Sequence, residues 1–150
     1  MSKGARWRRI LVPIQFSRRL PGAELELARA IARANQAKIT LLHVVPLSTA
    51  VAADASFAAQ FYMESQKGAE LKLRKMARSK LKGLEVEIVV EISSPATMIV
   101  KQAAKLRADL VIIATHGRTG LKRYLLGSVA EHLVARCPCP LLTIRPGTEQ

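Results

Sequence analysis

A chain of 150 residues with 49% hydrophobic side chains is long enough to bury one sizeable core. Its longest uninterrupted apolar run, Leu110–Ala114, is far too short to cross a bilayer, so we expect no membrane partner. Residues 1–10 are basic but lack the long apolar segment of a secretory signal, which favours a cytoplasmic location. Lysine and arginine number 24 against 11 acids, and the net charge of +13 favours anionic ligands.

The predicted elements alternate between strand and helix along the whole chain. Apolar segments predict five strands, at residues 10–14, 38–45, 85–92, 110–114 and 141–144. Helices are predicted between them, at residues 21–35, 57–82, 95–107 and 128–136. The small side chains of residues 46–56 predict a loop, and the partial alternation in residues 85–92 predicts an edge strand.

This order predicts an α/β fold: a single-domain three-layer sandwich whose five-stranded parallel sheet is flanked by four helices. Residues 1–8 form a basic extension and residues 146–150 a tail, with no sign of a second domain. In such sheets, ligands bind beyond the carboxyl ends of the strands, at the point where the strand order reverses.

The segment after the fourth predicted strand is the first candidate for chemistry. It contains Ala114, Thr115, His116, Gly117, Arg118, Gly127 and Ser128. Glycines let the backbone approach an anion, and the first amides of the following helix, with Ser128 as its predicted N-cap, would donate to phosphate oxygens. The spacing fits neither the P-loop nor the G-x-G-x-x-G fingerprint. On the residues alone, an anion site and an ordinary glycine-rich connection are equally open.

Other reactive side chains have structural interpretations. Cys137 and Cys139 flank a proline before the last strand and are expected to be reduced, without the further ligands of a metal site. His43 is predicted to be a hydrogen-bonded core histidine, and Asp109 a structural acceptor before a strand. His116 is expected to fix the shape of its loop, because no nucleophile or paired carboxylate accompanies it.

The helix predicted at residues 57–82 is strongly basic. Its cations are Lys67, Lys72, Arg74, Lys75, Arg78, Lys80 and Lys82. A solvated face is the ordinary interpretation, and a surface for polyanions is the alternative. Aromatic residues are scarce, which disfavours base stacking, whereas non-specific contact with nucleic acid phosphates stays open.

Several segments together resemble the universal stress protein family. The family pattern G-x2-G-x9-G-[ST] is matched, with Ala114 in place of the first glycine, by Gly117, Gly127 and Ser128. Four short flanking segments also occur in the family's order: ILVP at 10–13, LLHV at 41–44, ADLV at 108–111 and CPCPLL at 137–142. The resemblance covers nearly the whole chain.

This resemblance implies a homodimer in which the last strands, Leu141–Ile144, pair with each other, and it implies ATP as the ligand. Adenine would lie near Pro13, Gln15 and Val44. The phosphates would lie at Ala114, Gly117, Gly127, Ser128 and Val129, and Thr115, His116 and Arg118 of the same loop are counted among the binding residues.

Two departures from the family pattern bear on that ligand. Gln15 stands where the ATP-binding members have aspartate, and a neutral amide is a poor ligand for Mg²⁺. Ala114 replaces a glycine, and its methyl group hinders binding if the position needs a positive φ or close approach to phosphate. We therefore expect ATP binding to be retained but weakened, with the role of Mg²⁺ open.

The resulting hypothesis is a nucleotide-responsive stress sensor or adaptor that is not an enzyme and acts on an unknown protein partner. Three alternatives stay open. In the first, the chain is a family member that has lost the nucleotide and works through protein contacts. In the second it is a slow ATPase, and in the third it binds nucleic acid through its basic helix.

Overall fold

A computed structural model of the chain describes residues 6–16, 22–115 and 127–145. These residues form five strands, which are β1 Arg9–Pro13, β2 Lys38–Pro46, β3 Val86–Ser93, β4 Leu110–Ala114 and β5 Leu141–Ile144. They also form five helices, which are α1 Ala23–Asn35, α2 Thr49–Ala52, α3 Ala55–Lys80, α4 Pro95–Lys105 and α5 Ser128–Arg136.

The strands build one sheet in which every pairing is parallel, in the order β3-β2-β1-β4-β5. The predicted α/β fold with a five-stranded parallel sheet is confirmed, and β3 lies at an edge as its half-polar sequence predicts. The chain first builds outward from β1 to β2 and β3, and then returns to place β4 on the other side of β1. The strand order therefore reverses between β1 and β4, and ligand sites in open α/β sheets lie at such a point.

Each face of the sheet carries its own apolar cluster. On one face, Val12 and Ile39 pack with Leu25 of α1 and Leu73 of α3. On the other face, Leu11 and its neighbours pack with α4 and α5, including Ile99 and Leu133. The helices thus form outer layers on both sides of the sheet, as predicted for a three-layer sandwich.

Helix α3 begins at Ala55 and ends at Lys80, each two residues before the predicted bound. The Asp54 carboxylate accepts hydrogen bonds from the amides of Ser56 and Phe57, at 3.0 and 3.1 Å, and caps the helix start. Gly83, with φ of +83°, lies in the turn that follows the last residue of the helix. In the described part of the chain, no helix is both long enough and apolar enough to cross a bilayer.

The prediction of four helices was wrong by one, because the predicted loop at residues 46–56 contains α2. The Ser48 hydroxyl accepts a hydrogen bond from the Val51 amide at 3.4 Å and begins this single turn. The Ser48 amide in turn donates to the Tyr62 hydroxyl at 2.9 Å, which ties the turn to α3. Short side chains that favour a loop also fit a capped helical turn, and the tertiary contact selects the turn.

Candidate functional site

The predicted site residues of β1, β2 and β4 lie together at the carboxyl edge of the sheet. Pro13 pairs with Leu42 of β2, two residues before Val44. Leu11 pairs with Val111 of β4, three residues before Ala114. The three strand ends therefore finish at nearly the same level, on either side of the point where the strand order reverses.

The segment that carries Gln15 is held from both sides by His43. The Nδ1 of His43 donates to the Ile14 carbonyl oxygen at 2.8 Å, and the ring of Phe16 lies 4.5 Å from the His43 ring. The Ile14 amide also donates to the Leu42 carbonyl oxygen at 2.7 Å. Gln15 is exposed between these two anchored neighbours, so its backbone is well positioned at the mouth of the site.

Burial lowers the pKa of His43 from its ordinary value. The Ile14 carbonyl oxygen opposes this change by accepting the Nδ1 hydrogen, whereas the Lys72 ammonium reinforces it by repelling the imidazolium. Lys72 reaches this region through its contact with Phe16, whose ring centroid lies 4.9 Å from the Lys72 Nζ. His43 is thus a hydrogen-bonded core histidine, as predicted, and it supports the site from beneath.

Ala114 ends β4 in ordinary extended backbone. Among the described residues, positive φ angles occur at Gln36, Arg107 and Gly83. A glycine is therefore not required at position 114 for conformational reasons, and the alanine costs only the space of its methyl group. The next residue, Thr115, is bonded to the edge strand, because its amide and hydroxyl both donate to the Ile144 carbonyl oxygen, at 2.7 and 3.2 Å.

Helix α5 begins at the same edge of the sheet. The prediction that Ser128 is its N-cap was wrong, because Gly127 occupies the cap position and Ser128 is the first helical residue. Glycine has no side chain to accept from the first amides of the helix, which leaves those donors for a ligand or water. Val129 packs against the apolar cluster that contains Val44 and Ile113, so this helix start is fixed relative to β2 and β4.

Three predicted site residues, His116, Gly117 and Arg118, lie outside the described residues. Within the described ranges, no three His, Cys, Asp or Glu side chains are grouped in a way that could hold a metal ion. The described site therefore offers backbone donors, the Gln15 amide, the hydroxyls of Thr115 and Ser128, and apolar walls.

Two groups that the sequence singled out lie at the opposite, amino edge of the sheet. The Asp109 carboxylate accepts hydrogen bonds from the amides of Arg8 and Arg9, at 2.7 and 2.8 Å, which confirms its structural role. The sulfur atoms of Cys137 and Cys139 lie 3.8 Å apart as free thiols. Burial, with the neighbouring Cys137, raises the pKa of Cys139 to about 12, so this thiol is a weak nucleophile at neutral pH.

Sequence reasoning did not single out Glu24, in the first turn of α1. Its side chain is buried, and the next residue, Leu25, packs in the cluster that contains Ile14. Because α1 follows β1, this carboxylate lies toward the carboxyl edge of the sheet. The only feature of the sequence that indicated a carboxylate near this edge was the presence of acids in the first turn of the helix after β1.

Comparison with protein families gives a match over residues 6–145 to the universal stress protein family. A universal stress protein of Methanocaldococcus jannaschii is 32% identical over 146 residues, covering 93% of this chain and 82% of that protein. A putative universal stress protein of Staphylococcus aureus is 30% identical over 142 residues, covering 93% of this chain and 84% of that protein.

Solved structures share the fold. The structure of hypothetical protein MJ0577 superimposes with a TM-score of 0.83 at 25% identity, covering 97% of this chain and all of that one. An Arabidopsis thaliana family protein with AMP bound has a TM-score of 0.61 at 21% identity, covering 95% and 94%. An Archaeoglobus fulgidus universal stress protein in complex with dAMP has a TM-score of 0.59 at 21% identity, covering 93% and 99%.

Proposed function

The chain belongs to the universal stress protein family, and on that premise we propose that it is a stress-response protein that binds an adenine nucleotide at the carboxyl edge of its sheet. The observation that carries the proposal is the start of α5, where the cap is a glycine without an accepting side chain and the helix begins at the carboxyl edge of the sheet, beside the point between β1 and β4 where the strand order reverses. Solved structures of the same fold hold AMP, dAMP and cAMP, which supports a nucleotide as the ligand.

Each part of the proposed site suits one part of the nucleotide. The half-buried Pro13 offers apolar surface to adenine beside the largely buried Val44. The Gln15 amide offers both a donor and an acceptor to the base or ribose. The phosphates would lie against the first amides of α5, where the helix dipole favours an anion. The extended backbone at Ala114 supports this proposal, since the missing glycine removes no required conformation.

Two substitutions at one position test the phosphate contact. Proline is compatible with the first helical residue, so Ser128→Pro removes the hydroxyl and one amide donor while the helix is kept. Ser128→Ala is the matched control, because it removes only the hydroxyl. We expect the proline variant to bind ATP roughly tenfold more weakly than the alanine variant, by isothermal titration calorimetry. Equal affinity of the two variants would show that the start of α5 does not hold phosphate.

Thermal unfolding tests the choice of ligand. A nucleotide present at about a hundred times its dissociation constant stabilises a protein by roughly 2.7 kcal/mol. We expect a shift with ATP, ADP or AMP that changes little on adding Mg²⁺, because Gln15 brings no carboxylate to the metal. Absence of a shift with all three nucleotides would instead favour a family member that works through protein contacts alone.

We also propose that the chain forms a homodimer in the cytoplasm by pairing of its β5 strands. The surface of this dimer would be the one that a partner protein binds. β5 is an edge strand whose inner side bonds to β4, where Val111 donates to Pro140 and Thr115 to Ile144. The alternation of a strand then directs the Thr143 amide and carbonyl to the open side. Thr143→Pro removes that outward donor, and Thr143→Ala keeps it. We expect only the proline variant to sediment as a monomer, and dimers of both variants would exclude this interface.

A further inference from the structure

The outward surface of α3 carries exposed apolar side chains between Phe57 and Leu71 and a group of cations in its second half. Phe57, Phe61, Leu71, Lys75 and Arg78 are all exposed. Their spacing of four, ten, four and three residues keeps them close to one line along a helix. We call this line, with its flanking residues, the α3 outer face. From Phe57 to Arg78 it extends over roughly 30 Å at the rise of an α-helix.

The large exposed apolar side chains of the described residues are concentrated here. Six such side chains are exposed, and Phe57, Phe61, Met63 and Leu71 among them belong to α3. Leu47 is another, and the bond between the Ser48 amide and the Tyr62 hydroxyl holds it beside the same helix. Met63 lies on another side of α3, beside Ile88 and Val90 of β3, whereas Phe57, Phe61 and Leu71 share one face. Scattered exposed apolar residues need no explanation, but a group on one helix face marks an interaction surface.

The cations on this helix have few acidic partners. In α3, Glu70 bonds to Arg74 at 2.6 Å. Glu64, which is exposed on the outer face midway between Phe57 and Leu71, accepts from the amide group of Gln60 at 3.1 Å. Lys75 and Arg78, on the outer face itself, have no carboxylate partner within the described residues. The positive charge of the second half is therefore presented to solvent.

We infer that the α3 outer face binds peripherally to the surface of an anionic lipid bilayer. Membrane-surface helices combine Phe and Leu side chains, which enter the headgroup boundary, with Lys and Arg that contact acidic headgroups. The charge of the chain, +13, is complementary to such a surface. This association departs from the expectation of no membrane partner, which rested on the absence of an apolar run long enough to cross a bilayer. A helix that lies on the bilayer needs no such run and keeps its inner side on the sheet.

A bilayer explains this face better than a nucleic acid does. Both polyanions would contact Lys75 and Arg78, but exposed apolar side chains such as Phe61 and Leu71 gain nothing from a phosphate backbone. In an interfacial layer the same side chains leave water, at about 25 cal/mol for each Å² removed. The proposal does not depend on nucleotide binding, since no residue of the α3 outer face belongs to that site.

Co-sedimentation with vesicles tests the proposal, using phosphatidylcholine alone and phosphatidylcholine with about one-third phosphatidylglycerol. Each cation near an anionic surface contributes roughly a fivefold factor to partitioning. We therefore expect Lys75→Gln with Arg78→Gln to lower partitioning roughly thirtyfold. The matched control is Lys101→Gln with Lys105→Gln on α4, which removes the same charge from exposed positions and should have less than about a threefold effect. Phe57→Gln with Phe61→Gln should lower partitioning roughly tenfold.

Thermal unfolding of each variant first establishes that it is folded. We expect all variants to fold, because the substituted side chains are exposed. Loss of binding with both α3 variants, and not with the α4 control, supports the proposal. Equal losses for the α3 and α4 charge variants would mean that only the net charge matters, and would overturn the proposal. Unchanged partitioning of the phenylalanine variant, or no binding of the wild type to anionic vesicles, would overturn it too. If the α3 charge variant loses affinity for duplex DNA but not for vesicles, the face binds nucleic acid and the proposal is wrong.

Discussion

Replacing His43 should destabilise the protein and loosen the segment that carries Gln15. The ring donates one half-buried hydrogen bond to the Ile14 carbonyl oxygen, at 2.8 Å, which contributes about 1 kcal/mol. Its contact with Phe16, at 4.5 Å between centroids, contributes about 1 kcal/mol more. We expect His43→Ala to lower the free energy of unfolding by about 2–3 kcal/mol at pH 8. His43→Phe, which keeps a ring but has no donor, should lose about 1–2 kcal/mol.

The same residue predicts a dependence of stability on pH. Burial lowers the pKa of His43 in the folded protein below the ordinary value of 6.5. As the pH falls through 6.5, the unfolded chain therefore takes up a proton before the folded chain does, and the free energy of unfolding decreases. The slope from this group is at most about 1.4 kcal/mol per pH unit. Above pH 6.5 its full contribution to stability is present.

Urea unfolding followed by circular dichroism, at pH values between 5 and 8, measures both effects. The difference between wild type and His43→Phe isolates this histidine, because all other titrating groups are common to the two proteins. We expect that difference to shrink as the pH falls below 6.5. A difference that is zero at pH 8, or that does not change with pH, would refute the reasoning. The His43→Ala variant should also bind nucleotide more weakly, because Gln15 then has less support.

Three further results are expected. Asp109→Ala leaves two amides without their acceptor and should cost about 2 kcal/mol in urea unfolding, whereas Asp109→Asn keeps an acceptor oxygen and should cost less; equal losses would contradict this. Leu73→Ala empties a fully buried position under α3 and should cost about 2–5 kcal/mol, and a smaller loss would mean that the core closes around the cavity. In a Cys137→Ser background, Cys139 should react with iodoacetamide much more slowly at pH 8 when folded than in denaturant, because burial raises the pKa of its thiol. Equal rates would show that this thiol is accessible as the thiolate.

Much of the fold could be predicted from hydrophobic patterns, because a buried parallel strand reads as a continuous apolar run. The bounds of β4 and β5 were predicted correctly, and those of β1, β2 and β3 within one residue. Helix α2 was missed because one capped turn has no period to detect. The serine at position 48, which is the N-cap of this turn, was the available indication.

The site was harder to predict than the fold, because its support comes from contacts between distant parts of the chain. The bond between His43 and Ile14 joins residues 29 apart, and nothing local shows that it exists. The conformation at Ala114 also had to be observed, since an alanine in place of a glycine has no fixed consequence until φ is known. The binding residues named from the family resemblance stay predictions until a nucleotide is measured.

The two edge strands of the sheet, β3 and β5, differ in charge, because β3 is rich in glutamate. Glu85, Glu87 and Glu91 lie in or beside it, and Lys38 of β2 contacts Glu87 at 3.0 Å and Glu85 at 3.8 Å. Its hydrogen bond with Glu87 raises the pKa of Lys38, so the ammonium stays charged. A second copy laid along β3 would bring carboxylates against carboxylates, which disfavours pairing there. Growth of the sheet by strand addition is thus disfavoured at this end, which favours an assembly through β5 that closes at two chains over one that extends into a fibre.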